Sequence, residues 1–182
     1  MKPPDELRRR KALYKLIIAQ SDILAAYTAC DFFLKNINSL RDARYEPLFS
    51  AIAICYARPF VDNKSLGRLP GCWEKFGNKQ LQKAHDDLLK ARHEVVAHSD
   101  MKIRKVMFLP PGVTLAPLET APDKWAWQIE TYRFPIRRFY EFHALFVDVL
   151  HRIEDAIQAE LVALYGKESP SSAFQLSLSD GA

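Results

Sequence analysis

The chain has 182 residues, of which 48% are hydrophobic and 26% are charged, and its formal net charge is +4. This length and balance are those of one globular domain with a sizeable core, and they exclude a disordered or fibrous protein. The positive charge is compatible with a nucleic-acid partner but does not require one.

The three cysteines, Cys30, Cys55 and Cys72, are odd in number and far apart in the sequence. They indicate reduced thiols, because a disulfide framework or a zinc site would need paired spacings. The basic N-terminus is not followed by the apolar segment of a signal peptide, and charges interrupt every apolar run before about 18 residues. We therefore predict a cytoplasmic protein with no membrane span, no metal and no cofactor.

Two helices are predicted in the first third of the chain. Residues 5–39 have apolar side chains at spacings of three and four, and Asp5 and Glu6 suit a helix start because carboxylates stabilise the positive end of the helix dipole. Residues 45–61 predict a second helix, which is apolar on most sides and therefore central in a bundle. Pro59 is expected to bend or stop it.

The remaining elements follow a loop at residues 62–77, whose aromatic side chains are expected to pack on the bundle. A third helix is predicted over 78–98. Residues 101–109 and 125–134 alternate β-branched or aromatic residues with polar ones, which predicts a hairpin with basic or polar residues exposed on one face. A fourth helix is predicted over 136–165.

The sequence thus predicts an all-α fold, an up-down bundle of four main helices with a small β-hairpin inserted between the third and the fourth. Residues 1–166 form the single domain, and Gly166 is a suitable C-cap for the last helix. Residues 167–182 are polar and rich in serine, which predicts a disordered C-terminal tail.

Arg92, His93 and His98 lie at the end of the third predicted helix, in the sequence RHEVVAH, which Ser99 and Asp100 follow. On an ideal helix, six positions turn through about 240°, so Arg92 and His98 would not share a face. They can converge if the helix ends at His98, which the polar residues after it favour, or if a second subunit supplies its own copy.

An arginine followed by five residues and a histidine, with a polar residue directly after the arginine, resembles the Rx4–6H motif of the HEPN superfamily. These all-helical domains include RNA-cleaving toxins and abortive-infection proteins, and the resemblance extends over the helix order from about residue 10 to 165. The segment CYARPF at residues 55–60 also resembles the second helix of abortive-infection-type HEPN proteins. This likeness implies that Arg58 faces the same cleft.

The resemblance implies a homodimer through the third-helix region, with a composite site formed by one helix from each subunit. It also implies RNA cleavage without a metal, by attack of the 2′-hydroxyl to leave a cyclic phosphate. Arg92 would then clamp the phosphate, and His98 would act as acid and base. His93 occupies the supporting position beside the arginine, where asparagine is commoner in the family, and Asp100 can orient His98.

Less specific interpretations stay open at this stage. Arg92 can be a solvated helix residue and His98 a C-terminal cap, since a positive side chain suits that end of a helix. Lys102 and Arg104, with Trp125 and Trp127, can hold single-stranded RNA or can belong to an ordinary amphipathic hairpin that covers the bundle. The predicted function is a metal-independent endoribonuclease of phage defence or a toxin–antitoxin system, with RNA, a second copy and a cognate antitoxin as partners. The alternative is a catalytically silent module that binds RNA, a nucleotide or a protein.

Overall fold

The computed structural model describes residues 3–62, 67–93, 105–113, 123–130, 133–166, 172–173 and 176. Within these residues, four α-helices and a two-stranded antiparallel hairpin follow one another in the predicted order, so the predicted fold class is confirmed. The elements are α1 (Pro3–Asn36), α2 (Tyr45–Ala57), α3 (Lys79–Ala91), β1 (Lys105–Leu109), β2 (Ala126–Glu130) and α4 (Arg138–Tyr165).

The two long helices α1 and α4 pack along each other in antiparallel directions. Near one end, the rings of Phe33 and Phe139 stack with their centroids 3.7 Å apart. Near the other, Arg9 donates to Glu160 over 3.0 Å. The buried apolar side chains of both helices face each other and α2, and they form the centre of the core. Ile17, Leu24 and Phe32, which were predicted to belong to the buried stripe of the first helix, are exposed instead.

The second helix is shorter than predicted. It ends at Ala57, and a single 3₁₀ turn, Arg58–Phe60, takes the place of the last predicted turn. The reason is Pro59, which has no amide hydrogen to donate within a helix. Its carbonyl instead accepts the amide of Leu69 over 2.7 Å, and this bond holds the following loop against the bundle.

The third helix begins one residue later than predicted, because Asn78 caps it. The Asn78 side chain accepts the amides of Gln80 and Leu81 over 2.7 and 3.4 Å, as an N-cap does. The part of the predicted helix at 94–98 lies outside the described residues. In the preceding loop, Trp73 and Phe76 pack against the core, which confirms the prediction for these aromatic side chains.

The hairpin exposes a different kind of surface from the one predicted. Val106, Phe108 and Trp127 are 53%, 66% and 68% exposed, whereas Leu109 on the opposite face of β1 is buried. The prediction that the exposed face is basic or polar was therefore wrong for these positions. Alternation determines which side chains share a face, but not which face meets the bundle.

The ends of the long helices were predicted to within a few residues. The first helix ends at Asn36 instead of residue 39, and the fourth begins at Arg138 instead of residue 136. Gly166 has a φ of 71° and donates its amide to the carbonyl of Val162 over 2.8 Å, which confirms it as the C-cap. Most of the tail predicted to be disordered, 167–182, lies outside the described residues, but Leu176 packs against the core.

Residues 5–36 of α1 are long and apolar enough, by length and composition alone, to cross a membrane. No such span was predicted from the sequence, because charges interrupt the apolar runs. The mean hydropathy over a window of 18 residues nevertheless stays high when the window contains an isolated charge such as Asp22. In the bundle, 33% of that window is buried. The absence of a membrane span therefore stays a prediction, and the outer side of α1 is apolar in a way that the core does not explain.

A mostly buried ion pair attaches α3 to the first turn of α4. Arg138 donates to Asp87 over 2.7 Å, and their side chains are only 11% and 19% exposed. Arg138 also pairs with Glu141, and Lys83 with Asp87. Because Asp87 lies little more than one turn before Arg92, this ion pair fixes the position of the end of α3.

We predict that Asp87→Asn lowers the free energy of unfolding by about 2 kcal/mol, because it weakens a charge-assisted hydrogen bond that is shielded from water. Urea denaturation with linear extrapolation measures this loss. Asp148→Asn is the matched control, because its pair with Arg152 is longer, 3.7 Å, and more exposed; its effect should stay within about 0.5 kcal/mol. Equal losses in the two variants would contradict the role given to the Asp87–Arg138 pair.

Candidate functional site at the end of the third helix

Arg92 directly follows α3 and keeps helical backbone angles. Its amide is shared between the carbonyls of Leu88 and Leu89, and its guanidinium Nη1 lies 3.2 Å from His93 Nδ1. Because a guanidinium can only donate, His93 Nδ1 is the acceptor in this contact. Within the part of the chain that the structure describes, no carboxylate pairs with Arg92.

Four of the predicted site residues lie outside the described residues: His98, Asp100, Lys102 and Arg104. The structure thus brings Arg92 and His93 together, and the predicted approach of His98 to Arg92 stays a prediction.

Arg58 is placed away from this end of α3. It lies after the C-terminal end of α2, where it donates to Asp22 of α1 over 3.1 Å and lines a cavity of about 270 Å³ together with Lys15. Arg92, by contrast, follows the segment of α3 that binds the first turn of α4 through Asp87. The Arg58 guanidinium thus binds α1, whereas the Arg92 guanidinium contacts His93.

Tyr56 of α2 and His85 of α3 form a buried polar pair. His85 lies seven residues, or about two helical turns, before Arg92. The Tyr56 hydroxyl lies 2.7 Å from His85 Nδ1, and the rings of Phe60 and Phe76 surround the imidazole with centroids 5.0 and 5.3 Å from it. Burial raises the pKa of Tyr56 well above its usual value, so the hydroxyl stays protonated and donates to the imidazole. Burial also lowers the pKa of His85, which the carboxylates of Asp86 and Glu74 oppose.

The sequence did not indicate that Tyr56 and His85 form a pair, because their contact depends on how α2 packs on α3. The signal that could have found it is the helical spacing, since His85 lies between Ala84 and Leu88 on the apolar face of α3. A buried histidine on such a face is expected to need a hydrogen-bond partner, and the apolar second helix offered Tyr56.

The outward face of the hairpin places aromatic rings side by side. Phe108 is opposite Trp127 in the register of the two strands, and Val106 lies on the same face of β1 as Phe108. Trp125, just before β2, is 64% exposed. Aromatic rings exposed on a sheet are the kind of surface on which unpaired bases stack.

Among the described residues, no group of three or more histidine, cysteine or acidic side chains is arranged to hold a metal. The three cysteines are free, in agreement with the sequence prediction. Burial, with a smaller contribution from Asp31, raises the pKa of the Cys30 thiol to about 12. Cys30 is therefore protonated at neutral pH and is no nucleophile.

Comparisons with protein-family models, with curated proteins and with solved structures give no match to this chain. Membership of the HEPN superfamily therefore rests on the motif and on the helix order, and it stays a prediction.

We predict that His85 makes stability depend on pH. The unfolded chain protonates this imidazole below about pH 6.5, whereas the folded protein resists protonation because its pKa is lowered. The contribution is complete above that pH and is lost as the pH falls through the folded pKa. The free energy of unfolding should therefore decrease from pH 7 to pH 5 more steeply in the wild type than in His85→Gln, whose side chain can accept the Tyr56 hydroxyl without titrating. Parallel pH curves would refute this role of His85.

Proposed function

We propose that this protein is a HEPN-like, metal-independent endoribonuclease. Arg92 holds the scissile phosphate and His98 transfers protons, so that the 2′-hydroxyl attacks the phosphate and leaves a cyclic phosphate. A homodimer through the third-helix region completes the site, and phage defence or a toxin–antitoxin system, with a cognate antitoxin, is the setting. The proposal includes a cytoplasmic location.

The observation that carries the proposal is the placement of Arg92. It directly follows the third of the four helices, precedes the inserted hairpin in the chain, and has no carboxylate partner among the described residues. An arginine that binds a phosphate uses its planar fork of donors for the phosphate oxygens. His93 accepts from one side of the guanidinium and thereby restricts its orientation.

The exposed face of the hairpin supplies a surface for the RNA. Its exposed rings, Phe108 and Trp127, can stack on successive unpaired bases, and stacking tolerates every base because each has a π-face. Lys102 and Arg104 immediately precede β1 in sequence, so their charge can add attraction for the phosphates. The hairpin also follows the Arg92–His98 segment directly in the chain.

The same aromatic surface favours a second candidate, a catalytically silent HEPN-like module that binds RNA. Such a module needs the exposed rings but not the proton transfer of His98. Binding without cleavage would therefore select the second candidate over the first. Both candidate functions use the Phe108–Trp127 surface to bind RNA.

We predict that Arg92→Ala, which removes the phosphate clamp, and His98→Ala, which removes the acid and base, each reduce RNA cleavage by at least about 100-fold. Helical circular dichroism should be unchanged. Purified protein is incubated with mixed RNA in EDTA, and the ends of the products are tested for cyclic phosphate.

The controls for this experiment are His151→Ala on α4 and Arg41→Ala between α1 and α2, because both side chains are exposed and neither belongs to the proposed site. They should cut at the wild-type rate. Cleavage by His98→Ala at the wild-type rate would disprove the role given to His98. If the wild type cleaved no RNA at any concentration, the endoribonuclease proposal would be wrong and the binding module would be the better proposal.

We predict that Trp127→Leu raises the Kd for single-stranded RNA by about 10-fold, because loss of one stacked base is worth roughly 1–3 kcal/mol. Trp127→Phe retains a π-face and should bind within a few-fold of the wild type. Val162→Ala, at an exposed apolar position on α4, is the control for a surface change elsewhere. Fluorescence anisotropy with a labelled oligonucleotide gives the Kd. Equal affinities of the Leu and Phe variants would exclude stacking on Trp127.

A further inference from the structure

The outer face of α1 is a continuous uncharged stripe on the side away from the core. It consists of Ile17, Ser21, Leu24 and Thr28, which follow one another at spacings of four and three residues and are all exposed. Ile17 and Leu24 are 43% and 52% exposed, although both are large and apolar. Exposed apolar residues that line up along one helix face indicate an interaction surface more strongly than scattered ones do.

An ion pair lies at each end of this stripe, on the same face of the helix. At the N-terminal end Arg10 binds Glu6 over 2.6 Å, and at the C-terminal end Lys35 binds Asp31 over 2.7 Å. Both pairs have the acidic residue first and the basic residue four positions later. The order of charge along the face is therefore negative, positive, uncharged, negative, positive.

This order makes the face complementary to itself in one direction only. When a second copy lies antiparallel, Glu6 is opposite the partner's Lys35 and Arg10 is opposite the partner's Asp31, while Ile17 is opposite the partner's Leu24. In a parallel arrangement in register, each charged residue would instead face the same residue of the second copy, so every charge would face a like charge. We propose that the outer face of α1 binds the outer face of α1 in a second copy of this chain, in an antiparallel arrangement.

Ile17 and Leu24, the apolar residues of the uncharged stripe, supply the attraction between the two copies, and the charged residues at its ends determine the orientation. From Glu6 to Lys35 the helix is about 44 Å long at 1.5 Å per residue, so the contact extends along most of α1. Exposed ion pairs contribute little to affinity, but juxtaposed like charges oppose a wrong arrangement. Ser21 lies close to the crossing point, where a small side chain allows the two helices to approach each other.

This interface does not depend on the proposed function. The third helix packs on α2 and α4, whereas the outer face of α1 points away from both, so the two regions are separate surfaces. A protein that uses both surfaces would form a closed tetramer or an open chain, and one that uses α1 alone would form a dimer. Loss of RNA cleavage in His98→Ala would leave the α1 interface intact.

The test uses two charge-exchanged variants of the full chain. One carries Glu6→Lys with Arg10→Glu, and the other carries Asp31→Lys with Lys35→Asp. Each variant retains its ion pair within the helix with the residues exchanged, so folding is preserved. Each variant alone should lose the α1 interface, because every charge contact across it is then between like charges. Light scattering over a dilution series should then give half the mass of a wild-type dimer or tetramer, or a dimer in place of an open chain. An equimolar mixture should restore the wild-type mass, because every contact is again between opposite charges.

A second variant tests the apolar stripe. Leu24→Lys should also halve the mass, whereas Val162→Lys, which places the same charge at an exposed apolar position on α4, should not. Wild-type mass in each charge-exchanged variant alone, or a mixture that fails to restore it, would overturn the proposal. So would a monomeric wild type that floats with phosphatidylcholine–phosphatidylglycerol vesicles, because the face would then bind a lipid surface.

Discussion

The packing of aromatic rings around the start of α4 is the constraint on which the arrangement of the helices depends. Phe139 stacks on Phe33 of α1 and meets the edges of Tyr45 and Phe49 of α2. The Tyr45 hydroxyl donates to the carbonyl of Phe134 over 2.9 Å, which fixes the chain just before α4. Three helices and the return from the hairpin therefore meet at one end of the bundle. Large buried rings with specific geometry leave few alternative packings, so this end is well defined.

The third helix is held differently, by polar contacts on either side of a narrow apolar stripe. It is short, and its apolar face presents mainly Ala84, Leu88 and Ala91. The Tyr56–His85 pair secures it to α2, and the Asp87–Arg138 pair secures it to α4. Both contacts lie within two turns of Arg92, so the proposed phosphate-binding fork extends from a rigid support and not from a loop.

The sequence was sufficient to predict the secondary-structure elements, but it was not sufficient to predict which side chains of these elements contact each other. Helical periodicity placed all four helices, because burial of one face imposes spacings of three and four wherever the core lies. It could not tell that His85 meets Tyr56, since that depends on how α2 and α3 cross. Strand alternation likewise grouped Phe108 with Val106 but could not decide which side of the hairpin meets the bundle. The family likeness implies that Arg58 faces the same cleft as Arg92, and this stays a prediction. The structure shows that Arg58 follows the end of α2 and binds Asp22 of α1, a contact that the sequence did not indicate.

The three tryptophans lie in two different environments, so their fluorescence emission reports on two different parts of the protein. Trp73 is half-buried, and the guanidinium of Arg152 lies 5.2 Å from the centroid of its ring, so its emission reports the packing of the loop on the bundle. Trp125 and Trp127 belong to the hairpin and are largely exposed, so their emission changes little when the chain unfolds. A ligand on the hairpin and a loosened bundle would therefore leave different signatures in one fluorescence spectrum.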